Sequence, residues 1–237
     1  MEFDGGVVVG TDSRTSSGSF IASRATDKIT QITDRLVVCR SGSAADTQAI
    51  SDIVKYYIEV YSLMENEEIG IARASQIFRN FLYRYRDDLS ASVLVAGYDD
   101  DEGGQASISL IHPILCLTPS CFFFHLPVVT LSFLYAIPLG GYVTRQRCTA
   151  SGSGSTFVQG FLDNQWRQGL TVDQCKEIVK TAVSLATYRD GSSGGVIRLA
   201  VVDKNGTTRT LIRPDTNQFP KFVDIPAHLS FPKHIVQ

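Results

Sequence analysis

The sequence predicts an α+β domain in which helices cover the outer faces of β-sheets, and three observations carry that expectation. Short β-branched runs broken by Gly, Ser, Thr and Asp fill the stretch before Gly42. Helical periodicity then replaces them. The alternation of strands and paired helices repeats toward the C-terminus and closes on a hairpin, an order that suits sheets layered with helices. At 237 residues the chain is long enough for one large domain.

Taken in order, Val7-Val8-Val9, Phe20-Ile21, Lys28–Ile32 and Leu36–Cys39 read as antiparallel strands and hairpins forming a first sheet. Ile50, Ile53, Val54, Tyr57, Ile58 and Tyr61 recur at three- and four-residue steps, as do Ile77, Phe78, Phe81, Leu82 and Tyr85, so two amphipathic helices follow. Ser92–Tyr98 is a compact apolar strand that ends in the acidic turn Asp99–Gly104. A third helix is expected around Phe157–Trp166. The fourth runs from Val172 to Ala186, with Thr171 as its N-cap and Asp173 in its first turn. Val196–Val202, the turn Asp203–Gly206 and Thr207–Ile212 form the final hairpin.

Residues 109–136, SLIHPILCLTPSCFFFHLPVVTLSFLYA, contain no Asp, Glu, Lys or Arg and fit none of these elements. Pro113, Pro119 and Pro127 argue against a membrane-spanning helix, because each removes a backbone donor. A buried strand pair interrupted by turns is the plain structural alternative. The favoured reading is a translated intron, since Phe, Leu, Ser and Pro codons are rich in pyrimidines.

With 22 Lys+Arg against 24 Asp+Glu the charge is nearly balanced, which gives no reason to expect nucleic acid or an anionic membrane as partner. A protein or peptide partner is expected instead. Cys39, Cys116, Cys121, Cys148 and Cys175 are scattered, without a C-x-x-C pair or a His at metal-ligand spacing, so no disulfide framework, metal or cofactor is predicted. No charged and then apolar leader opens the chain, and an intracellular setting is expected.

Four small clusters could carry chemistry, and each has an ordinary explanation. Asp12-Ser13-Arg14 after a strand could be a turn with a local ion pair. Lys28 could sit on the solvated face of its strand. Ser151–Ser155 could be a flexible linker, and Asp190–Gly195 a helix-to-strand loop.

Taken together and in this order, they resemble the β-type subunits of the eukaryotic proteasome, within the N-terminal-nucleophile hydrolases. The resemblance covers residues 2–108 and 137–215. It rests on Gly10–Arg14, Thr26–Lys28, Cys39–Gln48, Ile137–Gly141, Gly152–Thr156 and Asp190–Val196, and RSGSAADTQA is similar to the β1, caspase-like type. The resemblance implies a four-layer αββα sandwich and a single domain over 1–213 interrupted by the atypical insert at about 109–136, while Pro220, Pro226 and Pro232 make 214–237 read as an extended C-terminal arm. It implies threonine endopeptidase activity after acidic residues in ATP- and ubiquitin-dependent protein degradation, in cytoplasm and nucleus. The implied partners are other α and β subunits in stacked seven-membered rings and unfolded polypeptide substrates, with no nucleic acid and no membrane.

In such enzymes the hydroxyl of an N-terminal threonine is the nucleophile and its own amine the general base. By resemblance, Asp12 is the carboxylate paired with Lys28, whose positive charge favours the deprotonated hydroxyl. Ser153, Asp190 and Ser193 match the group that orients the amine. Gly42 matches the glycine whose N–H meets the oxyanion, and Ser16 is a substrate-binding position. Arg40 matches the base of the pocket for the residue before the cut, where a guanidinium would favour Glu or Asp.

One departure stands out. Family mature chains begin at the threonine and run through an apolar strand into the equivalent of Glu2–Gly6, whereas here Met1 stands inside that start. Nucleophile, base and propeptide are therefore missing, and the chain as written is expected to be inactive. Two accounts compete: loss of a 5′ exon with gain of an intron, favoured by the paired departures, or a non-catalytic assembly subunit. An anchored or secreted binding protein built around 109–136 ranks below both, because it leaves the GSGS and DGSSGG loops unexplained.

Overall fold

The structure is a computed structural model that describes residues 1–100, 132–220 and 222. Its strands are β1 (Glu2–Phe3), β2 (Gly6–Thr11), β3 (Thr15–Ser17), β4 (Phe20–Ser23), β5 (Ile29–Thr33), β6 (Leu36–Gly42), β7 (Ala91–Tyr98), β8 (Ser132–Ile137), β9 (Thr144–Arg145), β10 (Ile197–Asp203) and β11 (Gly206–Ile212). Its helices are α1 (Ala44–Glu65), α2 (Ile71–Arg84), α3 (Gln159–Gln165) and α4 (Val172–Arg189), with a 3₁₀ turn at Ser153–Phe157.

The strands of the N-terminal region do not share one sheet, as the local pattern suggested. β1 and β2 join β10 and β11 in a four-stranded antiparallel sheet, β3 and β4 form a separate hairpin, and β5 and β6 open a five-stranded sheet ordered β5-β6-β7-β8-β9. Local alternation shows that a segment is a strand, but the partner is chosen by long-range register.

Side-chain alternation explains why two sheets stack. In β2, Val7 and Val9 point into the space between the sheets, where they meet Val37, Cys39, Ala96, Leu134, Ala200 and Val202. Val8 points the other way, onto Leu162, Val179 and Ala182 of α3 and α4. In the five-stranded sheet, Val38, Val93 and Val95 face α1 and α2 through Val54, Ile58, Ala74 and Phe78. A strand covered on both faces needs apolar residues at consecutive positions, which is what the run Val7-Val8-Val9 supplies. The result is four layers: helices, sheet, sheet, helices.

The two long helices α1 and α4 begin on side-chain caps, whereas α2 and α3 start at Gly70 and Val158 without one. Ser43 caps α1 through its side chain, which accepts from the Asp46 N–H. Thr171 caps α4 in a reciprocal box with Gln174. The third helix is shorter than periodicity implied, because the Ser153–Phe157 turn takes its first residues.

Two boundaries also differ from expectation. Ser132–Ala136, assigned above to the apolar insert, belong to β8, which pairs with β7 from Tyr98↔Ser132 to Val93↔Ile137. Their alternation puts Leu134 in the inter-sheet core, so these residues are structural sheet; residues 109–131 lie outside the described residues. The first part of the expected extended arm instead turns, with Thr216 N–H donating to Arg213 O and Phe219 N–H to Thr216 O, and Phe219 packs near α4. The rest, 221 and 223–237, is outside the described residues. Among the described residues no helix is long and apolar enough to cross a membrane.

Candidate active site

A cavity of about 520 Å³ opens where the C-terminal ends of β2 and β6 meet the Thr149–Ser155 segment and the Ser192–Ser193 turn. Seven of the eight site residues expected from sequence line it: Asp12, Ser16 and Lys28 on one side, Arg40 and Gly42 on another, Ser153 and Ser193 opposite. Asp190 lies behind Ser153 and Ser193.

On the first side Lys28 Nζ donates to Asp12 Oδ1 at 2.6 Å. Asp12 Oδ2 accepts from the Gly194 N–H at 2.9 Å and the Arg14 N–H at 3.1 Å. The lysine side chain is only 25 % exposed and the carboxylate 12 %, so a solvated strand face does not describe Lys28. Nor does Arg14 form a local ion pair with Asp12. Its guanidinium reaches the loop before the neighbouring strand β10 to donate to Gly191 O at 2.7 Å and lies under Gly194, where a Cβ would come within 2.5 Å of it. Glycine at 194 thus lets the loop close over Arg14 while offering its N–H to Asp12.

On the far side Asp190 Oδ2 accepts from Ser153 Oγ at 2.7 Å and Ser193 Oγ at 2.6 Å, and Oδ1 accepts from the Ser192 N–H at 3.0 Å. Burial alone would raise its pKa, but these bonds, led by Ser193 and Ser153, together with the charge of Lys28 hold the carboxyl below its ordinary value. The Ser151–Ser155 stretch is accordingly a folded part of the cavity wall. Ser151 Oγ is within 2.9 Å of Ser41 Oγ and 3.2 Å of Ser92 Oγ, a hydroxyl trio that pins this wall to β6 and β7.

Gly42 closes β6 with φ +105°, and a Cβ there would sit 2.3 Å from Ser90 O. Arg40 donates through one Nη to Asp27 O at 2.7 Å, while its Nε is buried without a partner. Ser16, on β3, is exposed at the mouth.

The cavity contains a thiol, Cys148, but burial raises its pKa, and the neighbouring Cys39 is pushed up to about 12 by burial. Neither is an activated nucleophile. Among the described residues no group of three or more His, Cys, Asp or Glu could hold a metal ion. The chemistry on offer is that of a paired lysine, two held carboxylates and hydroxyls, arranged around one cavity.

Sequence reasoning did not find Arg198 and Arg209. Arg198 donates to Thr26 O at 2.9 Å and Ala25 O at 3.0 Å, and Arg209 clasps both Asp27 oxygens at 2.6 and 2.7 Å. Both arise from the C-terminal hairpin and hold the segment that carries Lys28, contacts that no local pattern encodes.

Two antiparallel sheets between helix layers, with a lysine–carboxylate pair at the open end of the inter-sheet space, are the architecture of an N-terminal-nucleophile hydrolase. Residues 1–114 and 122–202 match the proteasome subunit family. The chain is 40 % identical over 222 residues to proteasome subunit beta type-6 of Dictyostelium discoideum, covering 94 % of this chain and 90 % of that protein. It is 38 % identical to beta type-1 of Saccharomyces cerevisiae, covering 91 % and 86 %, and 38 % identical to human beta type-9, covering 94 % and 88 %. The chain belongs to the proteasome subunit family, as a β-type subunit that assembles with other subunits in the core particle. That family is in general one of threonine proteases.

Proposed function

We infer that the cavity is the active-site scaffold of a β1-type, caspase-like subunit, which cleaves unfolded polypeptides after Glu or Asp in ATP- and ubiquitin-dependent degradation. The observation that carries this reading is Arg40: a guanidinium lining the cavity, anchored through one nitrogen and keeping a buried Nε without partner. A carboxylate side chain satisfies such a donor at short range in a partly desolvated wall. Lys28 then acts on the nucleophile, Asp12 holds Lys28, and the Ser153–Asp190–Ser193 cluster orients the nucleophile's amine. Gly42, at the end of β6, supplies the main-chain donor to the oxyanion. The Met1 amine donates to Val8 O at 2.8 Å and Met1 lines the same cavity, so a threonine joined to it by a short strand would enter the site as the nucleophile. The subunit works within stacked seven-membered rings, in cytoplasm and nucleus.

The test uses core particles assembled with this chain carrying a threonine-headed strand before Met1. They should cleave reporter peptides after Glu, and Arg40→Ala should lower that cleavage by about 100-fold while the activities of other subunits persist. Acidic cleavage unchanged by Arg40→Ala would reject the specificity. Particles that incorporate the chain yet never gain acidic cleavage would assign it to assembly alone.

A further inference from the structure

We propose that Arg209 sets the acidic preference of the Arg40 pocket at one remove, by holding the Asp27 carboxylate away from the Arg40 guanidinium. Arg40 is here the receptor for an acidic side chain, as proposed above.

Arg40 donates to the main-chain carbonyl of Asp27 at 2.7 Å. The guanidinium that is to receive a substrate carboxylate therefore lies against a residue that carries a carboxylate of its own. That acid is the natural competitor for the donors Arg40 keeps free, its buried Nε among them. It does not compete because it is held elsewhere. Arg209, from β11 in the other sheet, takes both oxygens at 2.6 and 2.7 Å, and the Ile29 N–H takes Oδ1 at 3.0 Å.

The other charges at the cavity are tied to the frame: Arg14 donates to Gly191 O, and Asp190 is held by Ser153 and Ser193. Lys28 is neutralised by Asp12, and Arg198 is bound to the Thr26 and Ala25 carbonyls, which fixes the backbone of the segment. The thiol of Cys39, next to Arg40 in β6, is within electrostatic reach of both Asp27 and Arg209. With the pair closed, Arg40 presents an uncancelled positive charge. Without Arg209, the Asp27 charge next to it is uncompensated and opposes an incoming carboxylate.

The ion pair is itself substantially exposed, 35 % at Arg209 and 43 % at Asp27. Such pairs contribute little to folding, so its loss should leave the chain folded and change recognition. Arg209 is in this sense a positioning residue for specificity, and it never touches the substrate.

The experiment measures binding of two fluorescent tetrapeptide amides, one ending in glutamate and one in glutamine, to the full chain by anisotropy. The parent should favour the glutamate peptide, and Arg209→Gln should cut the ratio of affinities by about tenfold. Asp27→Asn added to Arg209→Gln should return the ratio to within about twofold of the parent. Asp27→Asn alone should keep the ratio at the parent value or above it. A purely structural role of Arg209 would not be rescued by removing the acid it binds. An unchanged ratio in Arg209→Gln, or a double variant as poor as the single one, overturns the proposal while leaving Arg40 as receptor. A parent chain without any glutamate preference overturns both.

Discussion

Two carboxylates stand on opposite sides of the cavity, and they are held in place by different means. Asp12 is held by a cation, Lys28, with two main-chain N–H groups assisting. Asp190 is held by two serine hydroxyls and a main-chain N–H. The first arrangement cancels charge locally and ties the position of the lysine to that of the acid. The second keeps a net negative charge in place and orders the neutral groups that bond to it. One side of the site thus fixes a charge pair, and the other fixes the direction of hydroxyls, as suits a wall that must orient a polar group.

If this contrast is correct, Lys28→Met is the most damaging change. It strands Asp12 in a largely buried position with only the Gly194 and Arg14 amides, and should destabilise the chain by about 1–3 kcal/mol, less than for a fully buried pair because the lysine is a quarter exposed. Urea unfolding measures this, and adding Asp12→Asn should recover most of the loss. A loss no larger than that of a surface pair would erase the difference between the two sides.

On the Asp190 side the effects should be smaller. Asp190→Ala leaves the buried Ser193 hydroxyl without its acceptor and should cost about 1–2 kcal/mol. Asp190→Asn keeps an oxygen for both hydroxyls and should cost less than the Ala change.

The smallest effect is a pH dependence. Because the folded protein holds the Asp190 carboxyl below its ordinary value, the unfolded chain binds its proton first on acidification. The stabilisation is therefore complete above the unfolded value, about 3.9, and is lost as pH falls through the lower folded value. Unfolding free energies of the parent and Asp190→Asn should differ at neutral pH and converge in acid. A gap that widens in acid would mean that the hydroxyls do not favour the charged form.

How much of this was legible in the sequence follows from the range of each interaction. The fourth helix was legible because its signals are local: Thr171, Asp173 and the apolar spacing all lie within it. The final hairpin was legible from its turn and its β-branched runs. β1, β3 and β9 have two or three residues each, too few to show a period. The candidate residues came from motifs matched in order. What holds them did not, because Arg14 meets Gly191 only once β2 pairs with β10, and Arg209 meets Asp27 only once the two sheets are stacked. Residues 132–136 were misassigned because β8, like β2, is covered on both faces, and an apolar strand of that kind looks the same as the apolar run before it.

The pairing of Tyr98 with Ser132 brings the ends of β7 and β8 face to face. The chain that joins them starts and finishes at the same end of the sheet, so one cost of its length is the entropy of closing it. That cost grows logarithmically, by about 0.6 kcal/mol for each doubling. The fold thereby has a port where sequence can be gained or lost over generations while the strands that carry the site keep their register. For the experimenter, the same port is a place to shorten the chain or splice in a reporter.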